Sequence, residues 1–363
     1  MTRSASILAA RADPESATWA AALTALGFTV EVTIDGADQP PLVDPRDADL
    51  LVIHDLCGHS PGGASGGGPR AGEVIAREAR GRVVFRHLDL PWQRRELAAL
   101  DGELPPRVAG ALHAPISLRS SRELRARGYE PTTVIQGFVD LDARPGERGG
   151  TRAALGCGPD DLLIVQPTDA MERTNPAGAI RYLQELHRRF PRRALRFWLT
   201  GAVDPVYATT FARLLDRSPV PVHVGPPDHS ATEGDPADGN PRADAFAAAD
   251  VVIVPSTWES FGFAPLEAIV ARRPCVTFAF PTLTELQACG LTFLSIDEPE
   301  ELARFTTRDS ERFHDTNLRR ARISFDARLL PAALADAFAA AGWHELVGPA
   351  VDDDSGSDRR LGG

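Results

Sequence analysis

Two carboxylates eight positions apart, Glu259 and Glu267, bracket a glycine in the stretch Ser256-Thr257-Trp258-Glu259-Ser260-Phe261-Gly262-Phe263-Ala264-Pro265-Leu266-Glu267-Ala268. The apolar run Val251–Pro255 ahead of it predicts a strand. Pro265 suits the first turn of a following helix, where early N–H groups have no intrahelical partner. Gly262 lets the backbone approach a ligand closely. The amides of Gly262, Phe263 and Ala264 would then face an anion such as a diphosphate, which a helix N-terminus favours. Glu267, one turn inside, can accept hydrogen bonds from a diol, and Glu259, on the loop, can do so from a sugar. A surface helix with two solvated acids would show the same spacing. The flanking residues separate the two.

Pro255-Ser256, Phe261-Gly262 and Glu267-Ala268, in register with the acids, resemble the Glu-x7-Glu motif of retaining, metal-independent glycosyltransferases of the two-domain GT-B fold, specifically glycosyltransferase family four. The resemblance implies an α/β chain with two Rossmann-like domains facing across a cleft. It implies that Glu259 contacts the transferred sugar near its anomeric centre. Ser260, Phe261, Gly262 and Phe263 would line the sugar and diphosphate through backbone amides, and Glu267 would bind the donor ribose. Val83–Arg94 looks like the family's acceptor-side strand end, where a histidine follows a strand. His87 is therefore the second catalytic candidate, with Arg86, Asp89 and Trp92 beside it on the acceptor side. Ser121-Arg122-Glu123-Leu124 and Val134–Asp140 resemble the helix and the exit of the family's first domain, with Gln136 where Asn is usual. The resemblance covers about residues 50–345.

Two segments depart from that pattern. After the strand Leu162–Gln166 comes Pro167-Thr168-Asp169-Ala170-Met171-Glu172-Arg173-Thr174-Asn175-Pro176. The family resemblance places an Arg and a Lys for the donor diphosphate where this chain has Asp169 and Thr174. Thr168 and Arg173 remain as donor-side candidates, Arg173 being the cation beside those positions. A charge-assisted hydrogen bond contributes about 1.5–3 kcal/mol, so losing two of them weakens a diphosphate site by orders of magnitude unless other donors compensate. The Gly-Gly turn expected after the first strand is replaced by Ala10-Arg11-Ala12-Asp13-Pro14, where Arg11 is a further cation for phosphate.

Composition narrows the alternatives. All 39 basic residues are arginine. Without lysine there is no P-loop cation, no pyridoxal Schiff base (hence no phosphorylase of the pyridoxal type) and no kinase strand lysine. A dehydrogenase would need a glycine fingerprint after the first strand, and 10–14 lacks it. A net charge of −11 argues against duplex nucleic acid. Cys57, Cys157, Cys275 and Cys289 are scattered among apolar or small neighbours, which predicts reduced thiols and no metal site. No apolar run reaches membrane-spanning length, and Ser6–Ala10 is too short for a signal core, so a cytoplasmic protein is expected.

These residues must be positioned by alternating strands and helices, which read as βα units around parallel sheets. The first half predicts strands at Ser6–Ala10, Thr29–Ile34, Asp49–Asp55, Arg82–His87, Gly110–Ala114 and Thr132–Gln136, with helices Pro14–Leu26, Ala71–Arg80, Trp92–Leu100 and Ser120–Arg127. The second predicts strands at Leu162–Gln166, Leu195–Thr200, Val220–Val224, Val251–Pro255, Cys275–Phe278 and Thr292–Ile296. Its helices are Pro176–Phe190, Pro205–Arg217, Arg242–Ala248, Ala264–Ala271 and Leu283–Ala288, then a largely helical 299–325 and a last helix, Pro331–Leu346. Asp142–Gly150, rich in Gly, Arg and Pro, reads as the join. The domains are 1–144 on the acceptor side and 145–330 for the nucleotide sugar. A C-terminal helix over 331–350 would cross back to the first domain, and 351–363 would be a disordered tail. Gly62–Gly68 and Asp228–Pro241 read as surface loops.

The expected reaction is transfer of a hexose from a UDP-, GDP- or ADP-sugar to a hydroxyl acceptor with retention, in carbohydrate biosynthesis, without cofactor or metal. The alternative is a degenerate GT-B protein that binds a nucleotide, sugar or protein partner without turnover.

Overall fold

The computed structural model describes residues 3–9, 14–34, 44–55, 69–101, 104–227, 240–305 and 307–347. Arg11, Cys57, the 62–68 glycine run, most of the 228–241 loop and the 351–363 tail lie outside the described residues. The chain divides into two compact units: Met1–Pro115 with Ser120–Ile135 and Arg328–Gly363, and Ile116–Arg119 with Gln136–Ala327.

The first unit is built on five parallel strands: β1 (Arg3–Ala9), β2 (Phe28–Ile34), β3 (Leu50–His54), β4 (Arg82–His87) and β5 (Leu112–Pro115). Their spatial order is β2-β1-β3-β4-β5. A parallel sheet is covered on both faces, so its central strands read as unbroken apolar runs rather than alternating ones. Leu50-Leu51-Val52-Ile53 is such a run and is buried throughout. It aligns Val52 with Ile7 on one side and Val84 on the other. The helix Pro14–Ala25 carries Trp19 and Leu23 into this core and packs against Leu330–Ala340.

The second unit has six parallel strands: β6 (Leu162–Gln166), β7 (Leu195–Leu199), β8 (Val222–Val224), β9 (Val251–Val254), β10 (Cys275–Thr277) and β11 (Leu294–Ser295). The order β8-β7-β6-β9-β10-β11 is the doubly wound dinucleotide-fold order, reversing between β6 and β9. Ile164 and Phe197 face the helix Pro176–Arg189. Leu163, Val165, Val252 and Val254 face Ala264 and Ala268 of the helix Phe263–Val270, whose small side chains let it lie close to the sheet.

Three local expectations are corrected. Trp92–Leu100 forms two 3-10 turns, Pro91–Gln93 and Arg95–Leu100, rather than one α-helix. Thr132–Gln136 is not a regular strand: it follows β5 through bonds such as Thr133 N–H to the His113 carbonyl at 3.0 Å, with an isolated bridge. A short helix, Gly149–Ala154, rises at the end of the expected join. Glu147 accepts from the Gly149 and Gly150 amides, and Arg148 and Arg152 both pair with Asp250. Those charges offset the poor helix propensity of two glycines.

Candidate functional site

Ligands of open parallel sheets bind outside the carboxyl ends of the strands, where the order reverses. In the second unit that point lies between β6 and β9. The segments that follow these strands are the two singled out by the sequence, and direct bonds tie them together. The Arg173 carbonyl accepts from the Thr257 amide at 2.8 Å, and the Asn175 side-chain amide donates to the Pro255 carbonyl at 3.0 Å. Asn175 also caps the helix Pro176–Arg189 by accepting from the Gly178 N–H.

Gly262 turns the chain into the helix Phe263–Val270 with φ of +123°. That conformation is costly for any side chain, and a Cβ there would lie 2.8 Å from Leu286 Cδ1. Gly262 supplies no side-chain cap, and the opening N–H groups of a helix have no intrahelical acceptor. The Phe261 ring is buried edge-on to Phe325 at 5.8 Å, so this residue can serve a ligand through its backbone alone. Glu259, Ser260 and Phe263 are half-buried. The Thr282 hydroxyl donates to the Glu259 carbonyl at 2.9 Å and anchors the loop backbone independently of the carboxylate.

Glu267 has a partner that sequence reasoning missed. Arg242, in the first turn of the helix Pro241–Ala248, donates from Nε to Glu267 Oε1 at 2.6 Å and from Nη2 to Oε2 at 2.5 Å. Its Nη1 reaches the Pro167 carbonyl at 3.4 Å. Burial works to lower the pKa of this guanidinium, but the bonds and charge of Glu267, with the charge of Glu259, raise it instead. A usable signal existed: Asn240-Pro241 is a helix start just before β9, and helix starts in βα units lie at the edge where strands end. Arg119, 5.3 Å from the Trp258 ring centroid, is a further cation beside this loop.

The two positions expected to lack cations are occupied by internal bonds. Asp169 Oδ1 accepts from the Ala202 N–H at 2.9 Å, pinning the turn after β7. The Thr174 hydroxyl donates to the Asp169 carbonyl at 2.6 Å, and the residue is buried. Thr168 is half-buried and accepts from Gln166 Nε2 at 3.0 Å.

The first unit treats its candidates differently. Arg86, expected to line an acceptor, is fully buried within the first unit. It donates from Nε to Glu15 Oε1 at 2.8 Å and from Nη1 to the Ala114 carbonyl at 3.2 Å, with Trp19 beneath it. Burial would raise the Glu15 pKa, but Arg86 and then His54 outweigh it and bring it down to about 2. His87 is 2% exposed, and its Nε2 lies 3.0 Å from His113 Nδ1 in a stacked pair. Burial, then His113 and Arg86, lower the His87 pKa well below 6.5, while burial and Arg107 bring His113 to about 4. His87, the second catalytic candidate, is thus enclosed against His113 within the first unit. Asp89 pairs with Arg94 at 2.9 Å. Trp92 donates to Glu123 at 2.9 Å under the Arg127 guanidinium, 3.8 Å from its ring centroid.

Residues 179–308 match a family model described as Glycosyl transferases group 1. The chain is 30% identical over 185 residues, 47% of its length, to D-inositol 3-phosphate glycosyltransferase 2 of Catenulispora acidiphila. It is 32% identical over 194 residues, half its length, to a D-inositol 3-phosphate glycosyltransferase of Saccharomonospora viridis. The match spans 40% and 43% of those two relatives. Among solved structures, Anabaena Alr3699/HepE in complex with UDP-glucose aligns with a TM-score of 0.68 and 16% identity over 93% of this chain and 99% of that one. Sucrose-phosphate synthase from Thermosynechococcus elongatus aligns at 0.64 and 12% over 93% and 98%. The two parallel-sheet units thus have the fold of GT-B glycosyltransferases. No helix among the described residues is long and apolar enough to cross a membrane.

Proposed function

We propose that this chain is a glycosyltransferase that moves a hexose from a UDP-, GDP- or ADP-sugar to a hydroxyl acceptor in the cytoplasm, without a metal and with retention of anomeric configuration. The observation that carries the proposal is the rim between β6 and β9, where the Gly262 turn, Glu259 and Glu267 lie on segments bonded to the phosphate-side loop. Amides at a helix start are fixed before the reaction, so they can stabilise charge developing on a departing diphosphate without reorganising. Glu259 is assigned to the sugar, Glu267 to the ribose, and Ser260 to Phe263 to the sugar and diphosphate through their amides. Arg173 and Thr168 serve the phosphate side. Retention is supported by the resemblance of the Glu259–Glu267 segment alone.

The test is a panel of UDP-, GDP- and ADP-hexoses, with donor hydrolysis and transfer measured for the purified chain and for Glu259→Ala. The variant is expected to lose at least about 100-fold in turnover while its circular dichroism is unchanged, because the loop backbone is anchored by Thr282. Turnover equal to that of the parent chain would overturn the assignment. Nucleotide binding without turnover in the parent chain would favour the degenerate reading, which has one observation in its support: Asp169 and Thr174 serve internal bonds where the family resemblance places cations.

A further inference from the structure

The Arg242 side chain joins two of the three elements at the point of reversal and starts from the third. Its own helix opens with Asn240, whose side chain accepts from the Arg242 and Ala243 amides at 3.2 and 3.1 Å, and with Pro241. That start fixes the base of the side chain. Phe246, one turn on, lies under the guanidinium at 5.5 Å. From this seat the fork reaches both oxygens of Glu267 and turns its remaining amine to the carbonyl of Pro167, the first residue after β6.

Two physical consequences follow. A planar fork on both oxygens fixes the carboxylate plane, and it uses one acceptor site on each oxygen, leaving one on each for two further donors. Two donors at that separation are what the 2′ and 3′ hydroxyls of a ribose present. The ion pair itself adds little to stability, since Arg242 is 42% and Glu267 24% exposed. Orientation is the effect that remains.

We propose that Arg242 is a positioning residue of the donor site, holding the Glu267 carboxylate so that it reads a ribose diol and thereby selecting ribonucleoside diphosphates over their 2′-deoxy counterparts. The inference rests on the nucleotide-sugar reading above.

Calorimetry of the full chain with UDP, GDP and ADP and with their 2′-deoxy forms tests this. The parent chain is expected to favour the ribose form of its nucleotide by about 10-fold or more, the worth of a hydrogen bond to a charged group. Arg242→Gln should collapse that ratio to about 2-fold by weakening the ribose form, leaving affinity for the 2′-deoxy form nearly unchanged. Arg242→Lys, which keeps the charge but not the fork, should restore little of the ratio. A retained ratio in both variants, or an equal loss for both sugars, overturns the role of Arg242. If Arg242→Gln does not fold, the lysine variant alone decides, because a collapsed ratio and a retained one remain distinguishable there. Failure of the parent chain to bind any nucleoside diphosphate overturns the nucleotide-sugar reading itself, and with it the inference.

Discussion

Arg86 and Glu15 show what a buried charge requires. A guanidinium removed from water costs several kcal/mol unless it is paired and its donors are satisfied. Here Glu15, the Ala114 and Ile135 carbonyls and the Trp19 face together meet that need. Glu15→Ala should therefore destabilise the first unit by about 3–5 kcal/mol, because it leaves Arg86 buried without its carboxylate. Joint replacement by apolar residues, Glu15→Leu with Arg86→Met, should cost much less. Denaturant titration of the two variants measures this, and a loss below about 1 kcal/mol in Glu15→Ala would refute it. From sequence alone Arg86 was read as acceptor-lining, since position at a strand end does not distinguish a side chain aimed into the core from one aimed outward. Glu15 has the same character: an acid in a helix's first turn usually meets water, and only the fold brings it to His54 of β3 and Arg86 of β4.

At the scale of elements, the neighbouring strands β4 and β5 bring His87 and His113 together as a neutral pair, and this sets a pH dependence. Both histidines titrate near 6.5 when unfolded but only at lower pH when folded, so the unfolded chain binds more protons below that value. Stability of the first unit is accordingly complete above about pH 6.5 and declines as pH falls toward about 4. Melting midpoints across that range check the prediction, and His113→Phe should flatten the slope. A profile flat from pH 7 to pH 5 would contradict it. Strands and long helices were legible because parallel sheets need continuous apolar runs, and 82–87 and 162–166 matched residue for residue. The helix Gly149–Ala154 was not legible, since its stability comes from Glu147 and Asp250 rather than from its own composition.

For the whole molecule, the reversal of strand order in the second unit localises the expected ligand. A nucleoside diphosphate that binds the folded chain stabilises it by about 2.7 kcal/mol at 100 times its dissociation constant. Amide exchange should then slow most at 167–175 and 255–267, while β8, at the far edge of the sheet, changes little. Protection centred on 195–224 would place the ligand elsewhere. The similarity to group 1 glycosyl transferases over 179–308 covers most of this unit, including both acids and Arg242.

By itself the sequence determined the α/β class, most strands of both sheets and the candidate chemistry of Glu259, Gly262 and Glu267. Each of these depends on local spacing: apolar runs, a helix start, two acids around a glycine. Tertiary structure alone decided which charges are partners. It enclosed Arg86 with Glu15, joined His87 to His113, bonded Asp169 to the Ala202 amide, buried Thr174, and set Arg242 on Glu267. Those pairings span up to 71 residues of chain. Apart from the Thr174–Asp169 bond within one loop, they depend on which elements become neighbours in the fold.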